Sequence, residues 1–157
     1  MGSVHVIKTS HQAGFTLIEI LITTTILAVI SSIAVVGYRG YIETTKINIV
    51  ISQLTEMSIT ISDFGQENVG FPASLDEIGL GNMLDPWGNP YQYLNIVTEP
   101  GHGKVRKDHN LVPLNTDYDL YSMGPDGKSV SPLTAKASRD DILRANNGGY
   151  IGPAANY

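Results

Sequence analysis

Residues 15–36 read FTLIEILITTTILAVISSIAVV, an apolar run whose only charged member is Glu19. Coiled as an α-helix it would extend roughly 33 Å at about 1.5 Å per residue, enough to cross the hydrocarbon core of a bilayer. Its many β-branched residues disfavour a helix in water, whereas lipid forces the backbone hydrogen bonds to close within the segment. Three fates are open to such a run: a membrane anchor, a helix buried in a protein core, or the apolar middle of a secretory signal. The last would put a small-x-small cleavage site at Ser32-Ile33-Ala34 and release a soluble protein beginning at Val35. It gives Glu19 no purpose. A carboxylate in hydrocarbon costs about 2.5–3.5 kcal/mol on insertion scales and calls for a partner, yet no Lys, Arg or His lies between Phe15 and Tyr38. A polar residue tolerated near the interface is the plain alternative.

Outward from that run, residues 1–14 (MGSVHVIKTSHQAG) are polar, with Lys8 as the only formal side-chain charge. The whole chain has 157 residues, 42% hydrophobic and 16% charged, a composition of folded rather than disordered proteins. Its net charge of −5 argues against a nucleic-acid surface, and the absence of cysteine excludes disulfides, thiolate zinc sites and a cysteine nucleophile. No Ser-His-Asp spacing, phosphate loop, HExxH or catalytic carboxylate pair stands out, and His5, His11, His102 and His109 have no evident partners, so no enzyme is expected.

Beyond the apolar run, Ile47, Val50, Leu54, Met57, Ile61 and Phe64 recur at spacings of three and four, which predicts a helical stripe packed on a sheet, with Gly65 as its stop. In Phe71 to Gly79, Ser74 is placed to cap a short helix that tucks Leu75 and Ile78 underneath. The breakers of Asp85-Pro86-Trp87-Gly88-Asn89-Pro90 predict a tight turn anchored by the Trp87 ring. Tyr91 to Val97 and Tyr118 to Ser122 read as short strands. Between them residues 98–117 form a polar connection with Lys104, Arg106 and Lys107, read as a solvated loop or as a weak contact for phosphate or anionic lipid.

Gly14-Phe15-Thr16-Leu17-Ile18-Glu19 followed by an apolar run resembles the class III signal of type IV pilins and type II secretion pseudopilins. The resemblance implies that a prepilin peptidase cuts between Gly14 and Phe15 and methylates the new amine. The glutamate at the Glu19 position then pairs with the Phe15 amine of a neighbouring subunit, a device for register rather than net stability. Many relatives carry a helix-bending proline where Val36 stands, leaving Gly37 as the nearby breaker. The set Asp85 to Gly88, Asn89-Pro90-Tyr91, Tyr118 to Ser122, Gly124-Pro125-Asp126-Gly127 and Asp140-Asp141-Ile142 narrows the likeness to the major pseudopilin of type II secretion.

That likeness implies an α+β, pilin-like fold. A leader over residues 1–14 is removed. A long helix over 15–64, with 15–36 spanning the membrane and later forming a filament core, packs on a small antiparallel sheet of a head over 65–157. It also implies a C-terminal loop stapled by Ca²⁺, with ligands from the Met123 carbonyl, Asp126, Asp140 and Asp141. Calcium takes six to eight such oxygens, and a small head without disulfides benefits from a staple. The loop from Asp126 to Asp140 is longer than the usual one. Asp117-Tyr118-Asp119 does not begin an EF-hand, because its glycine and terminal glutamate are out of place. Without calcium, Asp140 and Asp141 read as caps of a helix from Ile142 to Asn146.

The function implied is a subunit anchored in the inner membrane with its head in the periplasm. It would polymerise into a helical pseudopilus that drives proteins across the outer membrane, working with an inner-membrane assembly platform and minor pseudopilins. A surface type IV pilus for adhesion, motility or DNA uptake is the first alternative, and a soluble secreted binding protein the second.

Overall fold

The computed structural model describes residues 14–99, 103–109 and 113–157, so the leader before Gly14 and His102 lie outside the described residues. The chain divides between Tyr41 and Ile42 into two compact units. A single helix, α1 (Leu17–Glu67), runs without interruption through Gly37, so neither Val36 nor Gly37 marks a break. It passes the expected stop at Gly65. That glycine serves a close approach instead, since a Cβ there would lie 3.2 Å from the Phe71 ring.

In the second unit the predicted stripe holds. Val50, Leu54, Met57 and Ile61 are fully buried, and with Leu75, Tyr91, Tyr118, Leu120 and Ile142 they form the main core. Opposite lies a four-stranded antiparallel meander of β1 (Gln92–Asn95), β2 (Tyr118–Ser122), β3 (Ile142–Ala145) and β4 (Tyr150–Pro153), in sequence order. The long helix on a small antiparallel sheet is the α+β arrangement the sequence predicts. The expected helix after Asp141 is instead β3, all four of whose residues are buried. Asn146, Asn147 and Gly148 adopt positive φ and turn the chain back into β4, which suits residues that tolerate the left-handed region.

The short helix after Phe71 exists as one 3₁₀ turn, Leu75–Ile78. Ser74 makes no capping bond; the Glu77 carboxylate accepts the Ala73 N–H at 2.7 Å in its place.

The turn at residues 85–90 is built around a buried carboxylate. Asp85 Oδ1 accepts the N–H groups of Trp87 and Asn89 at 3.0 and 2.9 Å, and Oδ2 accepts the Ser122 hydroxyl of β2 at 2.6 Å. Trp87 fastens the loop to α1: its indole N–H donates to Glu43 at 3.2 Å, and the Lys46 ammonium lies 5.7 Å from the ring centre. Stripping the carboxylate strands buried donors, so Asp85→Ala is expected to destabilise the protein by about 2–4 kcal/mol, read as a lower urea midpoint.

The sheet is covered on both faces, which is why β2 and β3 carry buried residues on both sides. The second face holds a smaller core of Leu114, Leu133, Leu143, Ala145 and Ala154. Loops cover it, and the polar connection is one of them. Val105 and Arg106 are buried, contrary to the solvated loop read from the sequence.

Candidate functional site

Two regions carry the residues singled out from the sequence. At the first, Thr16 is the last residue before α1 and Glu19 sits in its first turn. The Glu19 Oε2 accepts both the Thr16 N–H at 2.8 Å and the Thr16 hydroxyl at 2.7 Å, while the Thr16 hydroxyl accepts the Glu19 N–H at 3.3 Å. This is a capping box, in which two otherwise orphaned helix N–H groups are satisfied reciprocally. Thr16-x-x-Glu19 is its sequence signature, which the reading of Glu19 as a purely intermolecular group passed over.

Further along, the hydroxyls of Thr23, Thr24, Thr25 and Ser32 donate to carbonyls three or four residues back. Those groups therefore carry no unmet hydrogen bond into an apolar medium. All residues from 14 to 35 are exposed in the lone chain, Phe15 at 86% and Leu17 at 92%. Among the described residues a Cβ at Gly14 would meet nothing within 4 Å.

The second region is the C-terminal loop. Asp126 Oδ1 accepts the Lys128 N–H at 2.8 Å, and the Asp126 N–H reaches Asp140 Oδ2 at 3.3 Å. Gly124 (φ 63°) passes so near the Asp140 carbonyl that a Cβ would lie 2.2 Å from it. Met123 is half-buried beside it. Asp141, fully buried, faces elsewhere: its Oδ2 accepts Arg106 Nη2 at 2.5 Å and the Ser129 hydroxyl at 2.6 Å. Burial pushes the Asp141 carboxyl up to about 6, against the opposing pull of Ser129 and Arg106.

The structure thus brings Asp126 and Asp140 together and commits Asp141 to an arginine. Among the described residues no three Asp, Glu or His side chains are placed to hold a metal ion. A calcium shell wants its carboxylates converging on one point. Here Asp126 and Asp140 accept backbone N–H groups and Asp141 Oδ2 accepts Arg106 and Ser129, leaving the buried Asp141 Oδ1 without a partner. The three carboxylates do not converge among the described residues, and the donor set as it stands does not fit the ion.

Arg106, read from the sequence only as part of a solvated loop or weak anion contact, is buried and paired with a carboxylate, a role that sequence reasoning missed. Its signal was indirect: Asp119, on a strand with both faces covered, and Asp141 both need buried partners. The Asp119 carboxylate accepts the Arg106 N–H at 2.7 Å and the Asn115 amide at 2.9 Å, and burial still raises its carboxyl above the usual range.

Comparison with known proteins bears on the first region directly. Residues 9–35 match the prokaryotic N-terminal methylation motif. The chain is 29% identical to the type II secretion system core protein G of Klebsiella pneumoniae, over 84% of this chain and 93% of that protein. It is 27% identical to the protein of the same name from Pseudomonas aeruginosa, over 75% of this chain and 87% of that one. It is 30% identical to the type IV major fimbrial protein FimA of Dichelobacter nodosus, over 79% of this chain and 75% of that protein. No solved structure gives a significant match. Motif, fold and relatives agree, and the chain belongs to the type IV pilin-like proteins, the family that takes in the major pseudopilins of type II secretion.

Proposed function

We propose that this chain is the major structural subunit of a type II secretion pseudopilus. The observation that carries the reading is the methylation motif at the start of a helix whose apolar residues up to Val35 have no cover in the lone chain. Such a surface is stable only in lipid or against other apolar helices. The two environments fit successive stages: an anchor in the inner membrane with the head in the periplasm, then the core of a helical homopolymer. The capped start and back-bonded threonines suit both, because they satisfy two helix N–H groups and the hydroxyls that would otherwise enter an apolar medium bare.

In this reading a prepilin peptidase cuts after Gly14, at the start of the matched methylation motif's apolar stretch. The cut turns the Phe15 nitrogen into a cation, which draws Glu19 of an adjoining copy away from its own cap. An inner-membrane assembly platform and minor pseudopilins would begin and drive growth, and the work done is mechanical, with chemistry performed on the chain rather than by it. The FimA likeness favours one second reading, a surface fibre of the type IV pilus kind.

Mass spectrometry of the mature protein is expected to give a methylated Phe15 start, and Gly14→Leu is expected to leave the leader attached and filaments absent. A mature chain starting at Val35 would overturn the anchor. Deletion of the gene in the native organism, with secretion assayed beside electron microscopy, decides between the filaments. Lost secretion supports the pseudopilus, whereas lost surface fibres with normal secretion supports the pilus.

A further inference from the structure

We propose that the Arg106 guanidinium is the resident cation of the C-terminal loop, holding the Asp141 carboxylate that was expected to bind calcium, so that the head folds and holds its loop without a metal ion.

The argument starts from charge. Asp141 immediately precedes β3 and is fully buried, and a buried carboxylate persists only with a partner of opposite sign and enough hydrogen bonds. Arg106 supplies the opposite charge and, with the Ser129 hydroxyl, the bonds to Oδ2, while the buried Oδ1 has no partner among the described residues. The arginine side chain is 5% exposed; Nη2 donates to Asp141 Oδ2, and Nη1 donates to the Ser129 hydroxyl at 2.6 Å and to the Val130 carbonyl at 3.3 Å. Ser129 closes the triangle by donating to the same Asp141 oxygen. The guanidinium also lies 4.4 Å from the centre of the Tyr121 ring, on β2, a face that favours a desolvated cation. One planar group thus ties β2, the start of β3 and the loop between them.

The neighbouring backbone reinforces the clasp. The Leu133 N–H donates to the Lys107 carbonyl at 2.9 Å, and the Ser131 hydroxyl reaches the Val105 carbonyl at 3.5 Å. The Ser138 hydroxyl joins both the N–H and the carbonyl of Val130, which fastens one arm of the loop to the other. Residues 105–107 act as a rail along which the loop is laid. The long stretch from Asp126 to Asp140 has a use here, because a chain that must reach Arg106 as well as return to β3 needs the extra residues.

A divalent ion on Asp141 would sit beside a guanidinium that cannot lose its proton, and the two would repel. Asp126 and Asp140 are left as a pair on the exposed side, joined through a backbone N–H. They lack the third carboxylate that the likeness assigned to them.

The test uses the full chain in detergent micelles, melted by circular dichroism in about 5 mM CaCl₂ and in EGTA, a concentration above the weakest range of extracellular calcium modules. The midpoint is expected to agree within about 1 °C between the two buffers, and calorimetric titration with CaCl₂ is expected to give no binding heat. Arg106→Gln leaves Asp141 charged and unpartnered, and is expected to lower the midpoint by roughly 10 °C or more; Arg106→Lys, which keeps the charge but not the fork, recovers part of that loss. A calcium-dependent rise of several degrees in the unaltered protein would overturn the proposal. So would an Arg106→Gln protein as stable as its parent. If that variant does not fold, the melt and the titration of the unaltered chain still decide.

Discussion

Subunits carrying Glu19→Gln are expected to be inserted, cut and methylated as usual, yet to yield at least about tenfold less sedimentable filament than the unaltered protein. Glutamine is the informative replacement because of the capping box. A Gln side chain can still accept from the Thr16 N–H and hydroxyl, so the start of α1 is preserved. What disappears is the negative charge alone. In the assembled state the methylated Phe15 amine of one copy would then be buried without a counter-ion, the costly half of a broken pair. Glu19→Ala removes cap and charge together and is expected to assemble no better, with added fraying of the first turn. Mass spectrometry of the N-terminus beside quantitation of sheared filaments separates failed processing from failed assembly. Glu19→Gln filaments at parental yield would show that charge pairing does not order the polymer.

The largest effect on stability is expected at Tyr118. Its ring is fully buried where helix and sheet meet, 5.1 Å from the centre of Phe71 and 5.7 Å from that of Tyr93. The Arg144 guanidinium lies over it at 4.0 Å and donates two hydrogen bonds to Asp117, at 2.9 and 2.6 Å. Tyr118→Ala opens a cavity, removes the aromatic contacts and strips the apolar face from a buried cation. A loss of about 3–5 kcal/mol follows, visible as a melting point lower by roughly 12 °C or more. Tyr118→Phe forfeits only a long bond to the Ser58 carbonyl, 3.4 Å, and is expected to cost about 1 kcal/mol or less.

The contrast between α1 and the C-terminal half shows what sequence can carry. The helix stripe was legible because Val50, Leu54, Met57 and Ile61 repeat over several turns, and β2 because its aromatic and aliphatic residues are bounded by breakers. β3 was not. Ile142 to Ala145 is buried on both faces, so no alternation appears, and a preceding Asp pair imitates a helix cap. β4 carries Gly152 and Pro153, residues that weaken a strand reading; a Cβ at Gly152 would lie 2.8 Å from the Tyr150 hydroxyl and would displace that ring. At the two sites the same divide recurs. Gly14 to Glu19 is a contiguous motif and could be read directly. The partnership of Arg106, Ser129 and Asp141 joins residues scattered along the chain, and a charged residue in a polar stretch looks solvated until the sheet behind it is known.

The clasp of Trp87 between Glu43 and Lys46 has a practical side. Trp87 is the sole indole in the chain, so its emission originates wholly at the junction of the 85–90 turn with α1. Fluorescence excited at the red edge of indole absorption, where tyrosine is dark, therefore reports the release of that one loop, separately from the melting of the strands behind it.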